Sequence, residues 1–234
     1  MKVAIHQPQY LPWLGYFAKW AAADVFVFLD TVQYEKNGWQ NRNRIKTAAG
    51  PRWLTVPVHA RLGTPIADVA IDTEAPWTRR HLATVEQAYA RAPYLDRYRE
   101  PLRELYGRKW THLAAVAATS ASWLAQALGI HVPVRLASEL SVTADDPTDR
   151  LIRLCRAVGG TTYLAGRDGL LYLDTRRFAD AGIGVRQQRY EHPEYTQAHG
   201  PFVPFLSALD LLLMHGDEAF RIVRAGDAWI DSAG

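Results

Sequence analysis

The 234-residue sequence contains one cysteine, Cys155, and no apolar run that approaches the roughly 18 residues needed to cross a bilayer. A single cysteine excludes an internal disulfide and a cysteine-cluster metal site, which suits a reducing compartment. Met1 and Lys2 lead straight into a strand-like run instead of a signal peptide. We therefore expect a cytoplasmic protein that does not insert into a membrane. Histidines do not recur at H-x-x-x-H or H-x-H spacing, so no metal site is predicted.

A strong charge imbalance is also lacking, since the net charge is +3 and the pI is about 9.0. The sequence has no long basic tract, zinc finger or RNP-type motif, so nucleic acid is not expected as a partner. Five cations nevertheless lie close together, with Glu35 opposing them: Lys36, Arg42, Arg44, Lys46 and Arg52. Such a cluster favours an anionic partner, such as a phosphate, a carboxylate or an acidic carrier protein. An ordinary solvated basic surface is the alternative interpretation.

Apolar strand-like runs alternate with helical patterns through both ends of the chain. Strands are predicted at 2–6 and 25–30, with a helix at 13–22 between them, which is typical of parallel pairing. Residues 76–128 have mainly helical periodicity. The predicted fold class is α/β, with three layers and a mainly parallel sheet. We expect residues 1–234 to form a single domain in which 76–128 is a largely helical insertion.

A short excursion from this sheet is predicted in the region 52–72. Residues 53–58 have strand character, and Pro57 places their end at a sheet edge. Residues 66–71 alternate well enough to be the partner strand.

Polar residues follow the first two predicted strands where each strand ends. His6 ends the first run and is followed by Gln7 and Tyr10, and Asp30 ends the second. Further candidates for substrate binding come after it: Gln33, Lys36, Trp39, Gln40, Asn41, Arg42 and Arg44. Open α/β sheets bind ligands outside the carboxyl ends of their strands, so a small-molecule site is predicted at this edge.

Three of these residues are the predicted catalytic groups. A neutral His6 can take a proton from an attacking amine or hydroxyl near pH 7, or it can simply orient the proline-rich loop. Asp30 can orient His6, bind substrate hydroxyls or hold an ammonium, and Tyr10 can position reactants or anchor the loop. The arginines can hold phosphate or carboxylate, and the amides can both donate and accept hydrogen bonds.

Two segments later in the chain hold second-tier candidates. Gly166 opens the loop 166–169 after a predicted strand, and such a short glycine loop can wrap a phosphate. His192 and Gln197 follow a strand predicted at 183–188 and either reach the same sheet edge or brace the last helix. Cys155 lies in an amphipathic helical pattern, which favours inert packing over a thiolate nucleophile.

Several motifs together resemble the WbqC-like protein family. They are IHQPQYLPWLGYF, D-x-x-Q-Y-x-K with WQNRNRI, Y-L-A-G-R-D-G, and H-P-E-Y-x-Q with FVPFLSALDLL, in order along nearly the whole chain. Members are bacterial proteins often encoded among genes for surface polysaccharides and small metabolites. The resemblance implies modification of a sugar or related amine in such a pathway.

A second similarity, at the level of fold, is to nucleotidylyltransferases such as pantothenate synthetase. In that fold a first strand ends near a histidine-bearing loop and a second strand runs into a Gln-aromatic pair, as in Gln33-Tyr34. There an H-x-G-H turn handles the triphosphate, whereas here His6 is followed by Gln7, Pro8 and Gln9. The similarity therefore implies a nucleotidylyltransferase-like sheet without that adenylation motif.

Three functions are open from the sequence. The first is a transferase that joins an activated acyl or aminoacyl group to an amine or hydroxyl of a sugar or small metabolite. The second is an ATP-dependent acid–amine ligase or nucleotidylyltransferase, and the third is a non-catalytic scaffold of a glycan-assembly complex. The expected partner is a small molecule or nucleotide-sugar; a carrier protein and a second copy of the chain are open, and no cofactor is assigned.

Overall fold

The computed structural model describes residues 1–167, 169 and 173–231. In chain order, the elements are β1 (Lys2–His6), α1 (Leu14–Ala21), β2 (Val25–Phe28), β3 (Arg42–Thr47), β4 (Gly50–Thr55), β5 (Val58–His59), β6 (Ala70–Ile71), α2 (Trp77–Ala88), α3 (Leu95–Gly107), α4 (Leu113–Ala127), β7 (Val134–Leu136), α5 (Pro147–Ala157), β8 (Thr162–Ala165), α6 (Thr175–Asp180), β9 (Gly184–Tyr190), α7 (Ala208–His215), α8 (Ala219–Ala225) and β10 (Asp227–Asp231). Short 3-10 turns occupy Ile66–Asp68, Ala137–Leu140 and Gly216–Glu218.

Within the described residues, six strands form the central sheet in the order β10-β9-β8-β1-β2-β7. β1 lies between β8 and β2 and is parallel to both, so that Ala4 has Leu164 on one side and Phe26 on the other. β7 and β9 continue the parallel arrangement, and β10 is an antiparallel edge strand. The predicted α/β class with a mainly parallel sheet is confirmed.

Alternate residues of the central strands face opposite helical layers, because successive side chains of a strand point to opposite faces. Ala4 and Phe26 belong to a core that includes residues of α1, α4 and α7. Val3 and Ile5 pack instead with residues of α5 and α6. Both faces of the sheet are therefore covered, which explains why the central strands β1 and β2 are apolar runs and confirms the three-layer prediction.

Helices α2, α3 and α4 fill the stretch that the periodicity predicts as helical. Val85, Leu102 and Leu124 carry their apolar stripes into the same core as α1. The division into one domain with an inserted segment at 76–128 stays a prediction, as does the relation to nucleotidylyltransferases.

The chain between β2 and α2 forms two small sheets outside the central one. β3 and β4 form an antiparallel hairpin in which Arg44 lies opposite Trp53. The segment predicted as a strand at 53–58 thus pairs mainly with β3, which precedes it in the chain. The predicted pairing with 66–71 is limited to β5 and β6, because part of that segment is a 3-10 turn.

Phe26 tests the packing of the central sheet. Its side chain is 0% exposed and its ring stacks on that of Trp20, with 4.1 Å between centroids. We expect Phe26→Ala to lower the free energy of unfolding by about 3–5 kcal/mol, because the truncation leaves a cavity in a close-packed core. Urea denaturation measures this loss. The matched control is Leu62→Ala, a site that is 95% exposed, with an expected change within about 0.5 kcal/mol. Equal effects at the two sites would contradict this packing.

Candidate functional site

A cleft of about 840 Å³ opens at the carboxyl edge of the central sheet. After β1 the chain enters α1 on one face of the sheet, and after β8 it leads to α6 on the other face. Because the two strands are neighbours, their following segments diverge and leave a crevice between them. Residues of both strand ends line it, including His6, Gln7 and Gly166. This is the place at which doubly wound sheets bind their ligands.

His6 stands at the cleft end of β1. Its Nδ1 lies 3.2 Å from the carbonyl oxygen of Gln7, which can only accept, so we assign the proton of the neutral ring to Nδ1 and the lone pair to Nε2. The ring lies edge-on to Tyr16, with 4.6 Å between centroids. Burial, and secondly the charge of Lys19, lower the pKa of His6 to about 3. The imidazole is therefore neutral near pH 7.

Lys19 of α1 lines the same cleft and was not among the predicted site residues. Its Nζ donates a 2.8 Å hydrogen bond to the carbonyl oxygen of Ile5, and the residue is 3% exposed. A Cβ on Gly166 would lie 4.0 Å from Nζ, at ordinary van der Waals distance, so the glycine is a near neighbour of the ammonium in the cleft. Burial lowers the pKa of Lys19 to about 7. The signal in the sequence was a lysine inside an otherwise apolar helix, LGYFAKWA.

Aromatic and polar side chains form the walls of the cleft. Trp13, Tyr190 and Phe205 lie on one side, and Gln188 among them donates a 3.1 Å hydrogen bond to the carbonyl oxygen of Gly15. Further lining residues come from the loop after β2 and from the start of α5: Val32, Glu35, Trp39, Pro147, Arg150 and Leu151. A space of this size, with few polar groups converging on it, fits a small organic ligand.

Asp30 lies near this edge but is not brought to His6. Its two oxygens accept hydrogen bonds from Ser138, at 3.0 Å from the backbone nitrogen and 2.6 Å from the hydroxyl. The carboxylate therefore ties the end of β2 to the turn that follows β7, instead of orienting the imidazole as predicted.

Tyr10 is also directed away from the cleft. It is fully buried, and its hydroxyl lies 2.9 Å from Nδ1 of His81 and 2.7 Å from the hydroxyl of Tyr106. Both partners belong to the helical region formed by α2 and α3. Its position is that of a polar anchor in the core, and its catalytic role stays a prediction.

The predicted amides mainly hold the loop in place. Gln40 donates a 2.8 Å hydrogen bond to the side-chain oxygen of Gln7, and Asn41 donates one of 2.9 Å to the carbonyl oxygen of Val56. Gln33 and Lys36 are exposed. Of this group, Gln40 is the residue that reaches the cleft, through its contact with Gln7.

Trp39 lines the cleft, whereas Arg42 and Arg44 lie beside it on β3. Both guanidinium groups lie over the ring of Trp53, and Trp39 contacts the same ring. These residues form a surface continuous with the wall of the cleft.

Of the candidates later in the chain, Gly166 lies at the cleft, whereas His192 and Gln197 do not line it. Gly166 lines the cleft; its neighbour Asp168 in the predicted glycine loop lies outside the described residues. His192 lies behind the wall, nearly parallel to Trp13 with 6.4 Å between ring centroids. Gln197 binds Val203 and Lys46, so it fixes the segment that covers β3 and does not line the cleft.

Among residues 1–167, 169 and 173–231, no cluster of three or more His, Cys, Asp or Glu side chains is arranged to hold a metal ion. In the same residues no helix is long and apolar enough to span a membrane. Burial raises the pKa of the Cys155 thiol to about 12, so this side chain packs as a neutral thiol on the buried face of α5.

Comparison with known proteins gives one family and one relative. The family model of the WbqC-like proteins matches residues 7–222. Rv1507c of Mycobacterium tuberculosis, described as an uncharacterized protein, is 36% identical over 223 residues, which cover 93% of this chain and 95% of that protein. No solved structure matches the chain. The range matched by the family model includes Lys19 and Gly166 and begins one residue after His6.

The contacts of Asp30 predict a structural defect on mutation. We expect Asp30→Ala to lower the free energy of unfolding by about 2–3 kcal/mol, because it leaves the backbone N–H and hydroxyl of Ser138 without their acceptor. Chemical denaturation measures the loss. Asp68→Ala, on a neighbouring turn, is the matched control. An Asp30→Ala protein of unchanged stability would argue against the bracing role.

The pKa of Lys19 predicts a pH-dependent stability. Because the folded pKa of about 7 lies below that of an unfolded chain, the charged lysine destabilises the fold fully at pH 7 and below, and this cost fades as the pH rises toward 10.5. We therefore expect Lys19→Met to be more favourable relative to wild type at pH 6 than at pH 10, by an amount on the order of a few kcal/mol. Thermal unfolding at both pH values measures the difference. The exposed Lys109→Met should show no such trend, and a flat difference for Lys19→Met would refute the assignment.

Proposed function

The chain belongs to the WbqC-like protein family, and on that premise we propose that the cleft is the active site of a transferase. The reaction joins an activated acyl or aminoacyl group to an amine or hydroxyl of a sugar or small metabolite. Its setting is the biosynthesis of bacterial surface glycans or secondary metabolites. The observation that carries the proposal is the presence of a neutral His6 and a desolvated Lys19 in one cleft.

His6 acts as the general base in this reaction. The nitrogen or oxygen of the acceptor attacks the carbonyl carbon of the donor and loses its proton to Nε2, the ring nitrogen that the Gln7 contact leaves free. The bond to the leaving group then breaks, and the leaving group departs with the electron pair, as a thiolate or a phosphate. Tyr16 holds the ring edge-on, so the lone pair keeps one direction.

Lys19 stabilises the negative charge that develops on the donor. One N–H of its ammonium is used by Ile5, so further donors remain for a carbonyl oxygen or leaving group near Gly166. A negative charge at this place raises the pKa of Lys19 and offsets the effect of the Lys19 charge on His6, which is the smaller of the two causes that lower the pKa of His6.

The sheet favours a donor that carries phosphate. Numbered by their order along the chain, the six strands have the order 3-2-1-4-5-6, which is that of sheets that bind nucleotides at this crevice. The same observation supports the ATP-dependent ligase as the second candidate. A scaffold without catalysis gives no reason for a buried lysine at the cleft, because Lys19 has the Ile5 carbonyl and the Tyr163 ring as partners but no carboxylate, and burial of its charge lowers stability.

The test begins with ligand-induced thermal shifts. The probes are acyl-coenzyme A compounds, nucleotides and nucleotide-sugars, and binding at a hundredfold excess over the Kd adds about 2.7 kcal/mol of stability. A donor that shifts the Tm is then combined with sugar amines and other small amines, and release of its leaving group is followed. We expect His6→Ala to bind the donor but to transfer at least about 100-fold more slowly. Lys19→Met should also slow transfer by at least about tenfold.

Matched controls and alternatives are built into this experiment. The exposed His131→Ala and Lys109→Met should keep wild-type rates. Pyrophosphate release from ATP with a carboxylic acid would favour the ligase. Transfer at an unchanged rate by His6→Ala, or the absence of any shift, would contradict the proposed transferase.

A further inference from the structure

The outer face of the β3–β4 hairpin carries four side chains that we call the arginine–tryptophan shelf: Trp39, Arg42, Arg44 and Trp53. Arg42 and Arg44 are two residues apart on β3 and so point to the same face of the strand. Their guanidinium carbons lie 4.3 and 5.6 Å from the centre of the Trp53 ring, which orients both cations over one surface. Trp39 adds a second ring, 5.5 Å from the first.

The charges of the shelf are not neutralised by the protein. Within the described ranges, no carboxylate pairs with either arginine, although other arginines have acidic partners, such as Arg97 with Asp217. Arg42 donates to the backbone and side-chain oxygens of Asn37 instead. The Nε atoms of Arg42 and Arg44 are buried without a hydrogen-bond partner and face the protein, so an anion would bind through the terminal nitrogens. Two guanidinium groups over one ring, with no carboxylate partner, suit an anion with several acceptor oxygens.

The shelf is also exposed and continuous with the cleft. Trp39 and Trp53 are 39% and 41% exposed, unusually high for rings of this size in contact with one another. Trp39 is at the same time a wall of the cleft. On the other side, the carbonyl oxygen of Arg44 accepts a 2.8 Å hydrogen bond from Ser207, two residues after the lining residue Phe205. A ligand on the shelf can therefore extend into the cleft.

We propose that the arginine–tryptophan shelf binds the phosphate or diphosphate ester of the donor, while the acyl end of the same molecule reaches His6 and Lys19. The inference rests on the proposed function and names its donor class, an elongated phosphate ester. Arg42 and Arg44 hold the phosphate oxygens, and the exposed tryptophans contact the adjoining ring or chain. Nucleotides and coenzyme A share this chemistry, and the experiment separates them.

The test uses inorganic pyrophosphate, coenzyme A and UDP as probes in calorimetric titrations at low salt. We expect the double variant Arg42→Gln/Arg44→Gln to weaken pyrophosphate binding by about tenfold or more, because charge and fork geometry are both lost. Lys19→Met should bind pyrophosphate as wild type does. The matched control is Arg97→Gln/Arg221→Gln, which changes two arginines in exposed ion pairs. Tighter binding of coenzyme A than of UDP identifies a pantetheine donor, and the reverse identifies a nucleotide donor.

A second measurement guards against a folding defect. Pyrophosphate should change the tryptophan fluorescence of wild type, and Trp53→Phe should reduce that change while Trp110→Phe keeps it. The double variant Arg42→Lys/Arg44→Lys keeps both charges but loses the two-pronged guanidinium geometry. It should therefore bind pyrophosphate several-fold more weakly than wild type does.

Unchanged pyrophosphate affinity in the Arg42→Gln/Arg44→Gln protein overturns the proposal, as does the absence of binding to wild type. Loss of binding in Lys19→Met alone overturns it too, because the anion then lies inside the cleft. Pyrophosphate carries no acyl group, so its binding is independent of transfer. The proposal for the shelf can thus be contradicted while His6-dependent transfer is confirmed. The experiments would also show the opposite result, in which the shelf binds pyrophosphate but transfer does not depend on His6.

Discussion

The divergence of the chain after β1 and β8 is the constraint on which the rest of the structure depends. The two strands pair in parallel, so both end at the same edge, and the helices that follow them belong to opposite layers. A parallel sheet of this kind must be covered on both faces, and the chain therefore leaves the edge in opposite directions. The cleft is the space left between the two segments where they diverge after β1 and β8. His6 and Gly166 face it because each stands at or just after the end of its strand.

Two polar side chains in the cleft, those of Lys19 and His6, have only part of their hydrogen-bonding or charge-pairing capacity used by the protein. Within the described residues, the ammonium of Lys19 donates to a backbone carbonyl and lies 5.8 Å from the centre of the Tyr163 ring, but it pairs with no carboxylate, so burial of its charge lowers stability. The same low-polarity surroundings keep His6 neutral and leave one ring nitrogen free. A core built only for stability would replace both groups by apolar ones of similar volume. Their retention in an accessible cleft is typical of groups that act on a ligand.

The periodicity of the sequence was sufficient to predict the sheet, its parallel pairing and the edge at which the cleft lies, because strand ends are local features. The roles of individual side chains could not be predicted as well, because the residues that they contact are distant in the sequence. Asp30 is bound by Ser138 and Tyr10 by Tyr106, contacts that no local pattern indicates. Lys19 was missed for a related reason. A helix was predicted at 13–22, but whether a long side chain of that helix reaches a cleft depends on the packing around it.

The polar residues after β2 fall into two groups: some form hydrogen bonds that hold the loop in place, and others carry charges that no carboxylate of the described residues neutralises. The side-chain amides of Gln40 and Asn41 donate to Gln7 and Val56, so they tie the loop to the rest of the protein. Arg42 and Arg44 alternate with Asn43 on β3, and Asn43 points inward and donates to Leu11. The same strand thus fixes itself to the core with one face and presents unneutralised cations with the other. The anchored face fixes the direction of β3, and both guanidinium groups lie over the Trp53 ring. For the proposed anion site, this orientation of the two cations before binding reduces the conformational entropy that binding would cost.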